Sequence, residues 1–195
     1  MKDNVWWTRK ARIQSETRLL ENHKFIQALL LWYSLTSVFV AVTLLKFSNF
    51  SSNIDLLFTC FSIFILGVTL FSSNAQYVQK ADAFKNNYIS LQQLYLELDS
   101  LDKPTSEHQE RYNNLLHSTE NHQQIDDARA LIETYESTPV DKIEKLTRTP
   151  TKRHRRIVIK QSFFVGGVKV LLYSLPIWLV VLSILADMVC NNGNS

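Results

Sequence analysis

Apolar positions gather in three uncharged stretches, 25–45, 56–71 and 170–186. The first has 21 residues and would run about 31 Å as a helix, enough to cross a bilayer. The second has 16 and reaches 18 with Ser72 and Ser73, and the third has 17; both lie at the short edge of the spanning range. The pattern predicts an all-α integral membrane protein with three transmembrane helices, which excludes most soluble enzyme folds.

No breaker separates residues 5–24 from the first span, so one long helix is expected, with Trp6 and Trp7 at its wet end. Those rings suit either the membrane surface or a helical bundle outside it. Beyond the second stretch no breaker appears before Pro104, so the second span is expected to continue as a helix. Tyr77, Ala81, Phe84, Tyr88, Leu91, Tyr95 and Leu98 recur there at alternating spacings of 4 and 3, a coiled-coil-like seam that needs a partner. That partner is another helix of the same chain or the same helix of a second subunit. Lys103-Pro104-Thr105-Ser106 ends this helix, with Thr105 or Ser106 as the next cap. Helices follow over 107–117 and 123–137, and Pro139 and Pro150 punctuate the rest. Gly166-Gly167 is expected to set an interfacial piece, 162–165, apart from the third span, and Pro176 to let that span bend.

Charge adds an orientation. Of 21 Lys and Arg residues, only Lys46 falls outside 1–24 and 80–169. The positive-inside rule places those two regions in the cytoplasm. The expected organisation is a cytosolic helix 1–24, a transmembrane hairpin 25–73 with spans at about 25–45 and 54–73, and a cytosolic helical domain 74–161. A third transmembrane segment 162–189 and an outer, periplasmic tail 190–195 complete it. Four Gly and four Pro argue against phosphate loops and turn-dense β architectures. Two cysteines, Cys60 and Cys190, make neither a disulfide framework nor a zinc site.

Three groups of residues carry candidate chemistry. Lys152, Arg153, Arg155, Arg156 and Lys160 form a basic run just before the third span. It fits anionic lipid headgroups or nucleic acid. Ser34, Ser37 and Ala41 on the first span, with Thr59, Ser62 and Gly67 on the second, suit close helix packing or the polar lining of a pore. Three spans are too few to enclose a channel, so conduction requires a homo-oligomer. The Tyr77–Leu98 seam is the candidate oligomer contact. The five histidines read as solvated or capping. Adjacent Asp126 and Asp127 diverge by about 100° on a helix, poor geometry for paired carboxylates. No charged residue lies inside the stretches 25–45, 56–71 and 170–186, against a pump or transporter. No catalytic set, metal or cofactor is expected, and the protein is not expected to be an enzyme.

The run Thr8-Arg9-Lys10-Ala11-Arg12-Ile13-Gln14-Ser15-Glu16-Thr17-Arg18-Leu19 leads into a span holding Tyr33-Ser34-Leu35. Further on stand Arg111-Tyr112-Asn113-Asn114-Leu115-Leu116 and Glu120-Asn121-His122-Gln123-Gln124-Ile125-Asp126. Over roughly residues 5–137 this arrangement resembles the SLATT family, two-span effectors of bacterial conflict systems. The third span departs from the two-span core and resembles the branch linked to reverse transcriptases, including retrons. The resemblance implies an inner-membrane effector of antiphage defence that oligomerises and permeabilises the membrane to abort infection. It implies as partners the lipid bilayer, further copies of the chain, and either a reverse transcriptase–DNA (retron) complex or a cyclic-nucleotide signalling system. Phe64 and Leu66 are then expected to close the pore by dewetting. The rival expectation is a membrane-anchored scaffold or signalling module without pore activity; conductance separates the two.

Overall fold

The computed structural model describes residues 1–46, 52–101 and 103–192, and the side chains of these except 44–46, 52–58, 183–184 and 186–192. Most of the expected outer connection, Cys190's side chain and the end of the outer tail therefore lie outside the described residues. The chain forms α1 (Lys2–Lys46), α2 (Ser52–Asn74), α3 (Tyr77–Asp99), α4 (Ser106–His117), α5 (Gln124–Ser137), a 3-10 helix (Val140–Lys145) and α6 (Lys152–Asn192). No strand occurs among the described residues. Three helices are long and apolar enough to cross a membrane, so the all-α membrane architecture holds. Two compact units emerge. We call them the bundle unit (Met1–Asn22 and Tyr77–Phe163) and the span unit (His23–Gln76 and Phe164–Ser195).

Two local expectations are corrected. The second span does not run on as one helix: α2 stops at Asn74, and α3 starts at Tyr77. Between them Gln76 has φ 50°, a left-handed conformation that ends a right-handed helix. The sequence offers no Gly or Pro there, so the break carries no local signal. Conversely, Gly166-Gly167 breaks nothing: α6 is continuous from Lys152 to Asn192. Glycine weakens a helix by only about 1 kcal/mol, too little to interrupt one carried by apolar segments on both sides.

In the bundle unit α1 and α3 pack antiparallel. Leu19 meets Ala81 and Phe84, while Val5 meets Leu91, Leu94, Leu98 and Tyr112 of α4. The α3 seam is thus filled by helices of its own chain, one of the two partners left open above. Its buried face is rotated slightly from the expected one. Asn87 and Leu94 join Ala81, Phe84, Leu91 and Leu98 as buried residues. Tyr77, Tyr88 and Tyr95 are only half-buried, as suits a side chain with an apolar body and a polar tip. Between Val5 and Leu19 the inward positions of α1 include Thr8, Arg12 and Ser15, all three polar. Trp7 packs in this bundle, with its indole N–H donating to Thr147 Oγ1 at 3.0 Å; Trp6 stands edge-on against it, ring centroids 4.6 Å apart.

In the span unit Leu29 and Tyr33 of α1, Phe61 of α2, and Leu172, Leu175 and Leu179 of α6 form one cluster. Other faces, including Leu35, Phe39, Phe71 and Val170, are largely exposed. Such faces suit hydrocarbon, where helix contacts rest on packing and hydrogen bonds rather than on escape from water.

Candidate functional site

The bundle unit is held by a buried polar set on α1. Asp126, in the first turn of α5, is fully buried. Its Oδ1 accepts Arg18 Nε at 2.8 Å, and its Oδ2 accepts Arg18 Nη2 at 3.0 Å. Oδ2 also accepts the Ser15 hydroxyl and the backbone N–H of Gln123, each at 2.9 Å. One carboxylate therefore caps α5 and clamps α1 to it. A carboxylate suits a helix N-terminus, where unpaired N–H groups carry partial positive charge. Bidentate guanidinium geometry adds specificity to this contact.

Arg12, one turn from Ser15, is also fully buried. It donates to the carbonyls of Leu116 at 3.3 Å and Glu120 at 3.4 Å. Its guanidinium lies 5.6 Å from the Phe84 ring centroid. Asn87 of α3 donates to the Leu115 carbonyl at 2.7 Å. The last carbonyls of α4 are thus capped by side chains from α1 and α3, the charge preference expected of a helix C-terminus. Burial lowers the Arg12 guanidinium from its ordinary value, opposed by Tyr112.

Beside these groups a groove of about 330 Å³ is lined by Trp7, Tyr112, His122, Asp127 and Arg148 among others. Arg148 lies 3.7 Å from Asp127 and 5.6 Å from the Trp7 ring centroid. Burial holds the His122 imidazole below its ordinary value. Asp127 and Asp126 oppose that shift, and Arg12 and Arg148 reinforce it. Two other histidines act as caps. His108 Nδ1 accepts the Thr105 backbone N–H at 3.4 Å, and His154 Nδ1 accepts that of Thr151 at 3.2 Å.

The remaining candidates are placed as follows. Ser34, Ala41, Thr59, Ser62 and Gly67 are exposed and Ser37 is half-buried. The apolar contacts between the spans include Tyr33, Phe61 and Ile65. Ser34 returns its hydroxyl to the Leu30 carbonyl at 2.9 Å, and nothing lies within 4 Å of a Cβ built on Gly67. Lys152, Arg153, Arg155, Arg156 and Lys160 are all exposed in the first turns of α6. Arg155 reaches Glu136 at 3.7 Å. Phe64 and Leu66 are exposed.

Sequence reasoning passed over two sets. In the sequence Asp126 reads as a neighbour of Asp127 and as the end of the central motif, with no link to Ser15 and Arg18 in the opening run quoted above. The second set is in the span unit. The Tyr33 hydroxyl donates to the Leu172 carbonyl at 2.8 Å, and the Trp32 indole N–H donates to the Tyr173 carbonyl at 3.1 Å. Pro176 is the signal that could have found it. It has no N–H, so the Leu172 carbonyl four residues back lacks its helical donor.

An all-α protein with three membrane-length apolar helices and a helical bundle clamped to the first of them is the class these features define. The chain belongs to the family of SMODS and SLOG-associating 2TM effector domains, family 5 (SLATT), whose model matches residues 1–186. The family description specifies two spans, and the matched region includes most of the third apolar helix as well. No curated protein and no solved structure matches the chain. Membership makes it a membrane effector domain of conflict systems.

Proposed function

We propose that this protein is a non-enzymatic effector of bacterial antiphage defence that assembles into homo-oligomers and permeabilises the inner membrane when triggered. The observation that carries the reading is the continuity of α1. One 45-residue helix supplies the clamped face of the bundle unit through Arg12, Ser15 and Arg18. It also supplies Leu29 and Tyr33 to the span unit. A change at the clamp is therefore a change in a helix that enters the membrane. Family membership supports the effector role, and the distribution of Lys and Arg supports a bundle unit on the cytosolic side. The basic start of α6 is the place for a trigger of the kind the family resemblance implies, a reverse transcriptase–DNA complex. A cyclic-nucleotide signalling system is the other.

Membrane potential and survival after induced expression in bacteria test this reading. Arg18→Ala, which loosens the clamp, should depolarise cells faster than the unaltered chain. A membrane-inserted Arg18→Ala protein that leaves the potential unchanged, with the unaltered chain also silent during phage challenge, would leave a passive anchor instead.

A further inference from the structure

Within the span unit one backbone acceptor is released by covalent chemistry. Pro176 is buried inside α6 and cannot donate to the Leu172 carbonyl, while its ring presses on that same carbonyl. In hydrocarbon an unpaired carbonyl is costly, and spanning helices keep proline only where a neighbour satisfies the freed group. Here the neighbour is α1. Tyr33, fully buried, donates its hydroxyl to Leu172 O at 2.8 Å. One residue earlier, Trp32 donates to Tyr173 O at 3.1 Å. A turn toward the start of α6, the Lys169 amine lies 5.0 Å from the Phe25 ring centroid, and Phe25 stacks edge-on with Tyr173 at 5.7 Å. Every named α1–α6 polar contact of the span unit thus lies on the Lys169 side of Pro176. On its far side Ile177, Trp178 and Leu182 are exposed, while Leu179 packs on the cluster of Leu29, Tyr33 and Phe61.

We infer that Tyr33 and Trp32 form a releasable latch on the proline-freed carbonyl of α6, holding α6 to α1 just ahead of the joint at Pro176. The inference rests on the reading of α1 as the element that carries a change from bundle to membrane, and it names what that change acts on. Withdrawal of Tyr33 unmasks an acceptor in an otherwise uncharged segment. Water entering the segment would supply a replacement donor, which couples release of the latch to entry of water.

Proline supplies a specific test. Pro176→Ala gives the Leu172 carbonyl its own helical N–H and makes the Tyr33 hydroxyl redundant. Four full-length proteins are compared in proteoliposomes for potassium leak and in detergent for thermal midpoint: unaltered, Tyr33→Phe, Pro176→Ala and the double variant. Tyr33→Phe should raise leak about tenfold and lower the midpoint in the unaltered background, and do neither in the Pro176→Ala background. Pro176→Gly, which also restores an N–H, replaces Pro176→Ala should that variant fail to insert. Equal effects of Tyr33→Phe in both backgrounds, or none in either, would overturn the latch. Midpoints that depend on Pro176 while all four proteins stay tight to potassium would leave a structural staple, overturning the latch as a gate and the pore reading with it.

Discussion

Arg18 and Asp126 meet in a two-pronged pair, Nε to Oδ1 at 2.8 Å and Nη2 to Oδ2 at 3.0 Å. The carboxylate is fully buried and the guanidinium nearly so. Removing one partner of such a pair strands the other in a low-dielectric site. Asp126→Ala should therefore cost about 3–5 kcal/mol, since it also removes the acceptor for Ser15 and for the α5 N-terminus. Denaturant unfolding in detergent, followed by tryptophan emission, measures this; a loss below about 1 kcal/mol would show that the clamp is not what holds the bundle.

Leu91 and Leu96 lie on the same helix with opposite expectations. Leu91 is fully buried and Leu96 is exposed. Leu91→Ala should cost about 2–5 kcal/mol, and Leu96→Ala about 0.5 kcal/mol or less. A charge at Leu91 would unfold the bundle, so it cannot report on assembly. Oligomer contacts along α3 are better probed at Ile89 and Leu96, whose charged variants should change the sedimentation of the assembly while leaving the fold intact.

His122 sets a pH dependence. Burial holds its imidazole below the ordinary value, Asp127 and Asp126 oppose this, and Arg12 and Arg148 add to it. In the unfolded chain the ring returns to a pKa of about 6.5. The unfolded state therefore takes up the proton first as pH falls. The stability owed to the neutral ring is whole above about pH 6.5 and is lost as pH drops through the folded-state value. The Tm of the unaltered protein should fall more steeply than that of His122→Gln across this window. Parallel curves would remove His122 from the account.

Gln76 occupies the left-handed region at φ 50°, where a β-branched side chain fits poorly. Gln76→Val should destabilise by about 1–2 kcal/mol, and Gln76→Gly should be tolerated. Helix content by circular dichroism alongside thermal unfolding distinguishes strain at this joint from a continuous helix, for which glycine would be the worse substitution.

Much of the secondary structure was legible in the sequence. The uncharged runs mark the spans because length and hydropathy are additive along a chain, Pro104 and Thr105 mark where α4 begins, and Pro139 stands just past the end of α5. The seam on α3 was legible too, down to Phe84, Leu91 and Leu98. Its partner was not, because α1 carries polar Thr8, Arg12 and Ser15 at inward positions between Val5 and Leu19. Those residues read as surface until Asp126 and the α4 carbonyls are brought to them.

The sequence by itself determined an all-α protein with three membrane-length helices, and its opening and central motifs determined the family. Only the tertiary structure decided that Asp126 binds α1, that Arg12 caps α4, and that Tyr33 answers for the missing N–H of Pro176. Periodicity reports where apolar surface must be covered. A buried polar group is fixed instead by a donor or acceptor about a hundred residues away in the chain, and no local pattern records that pairing.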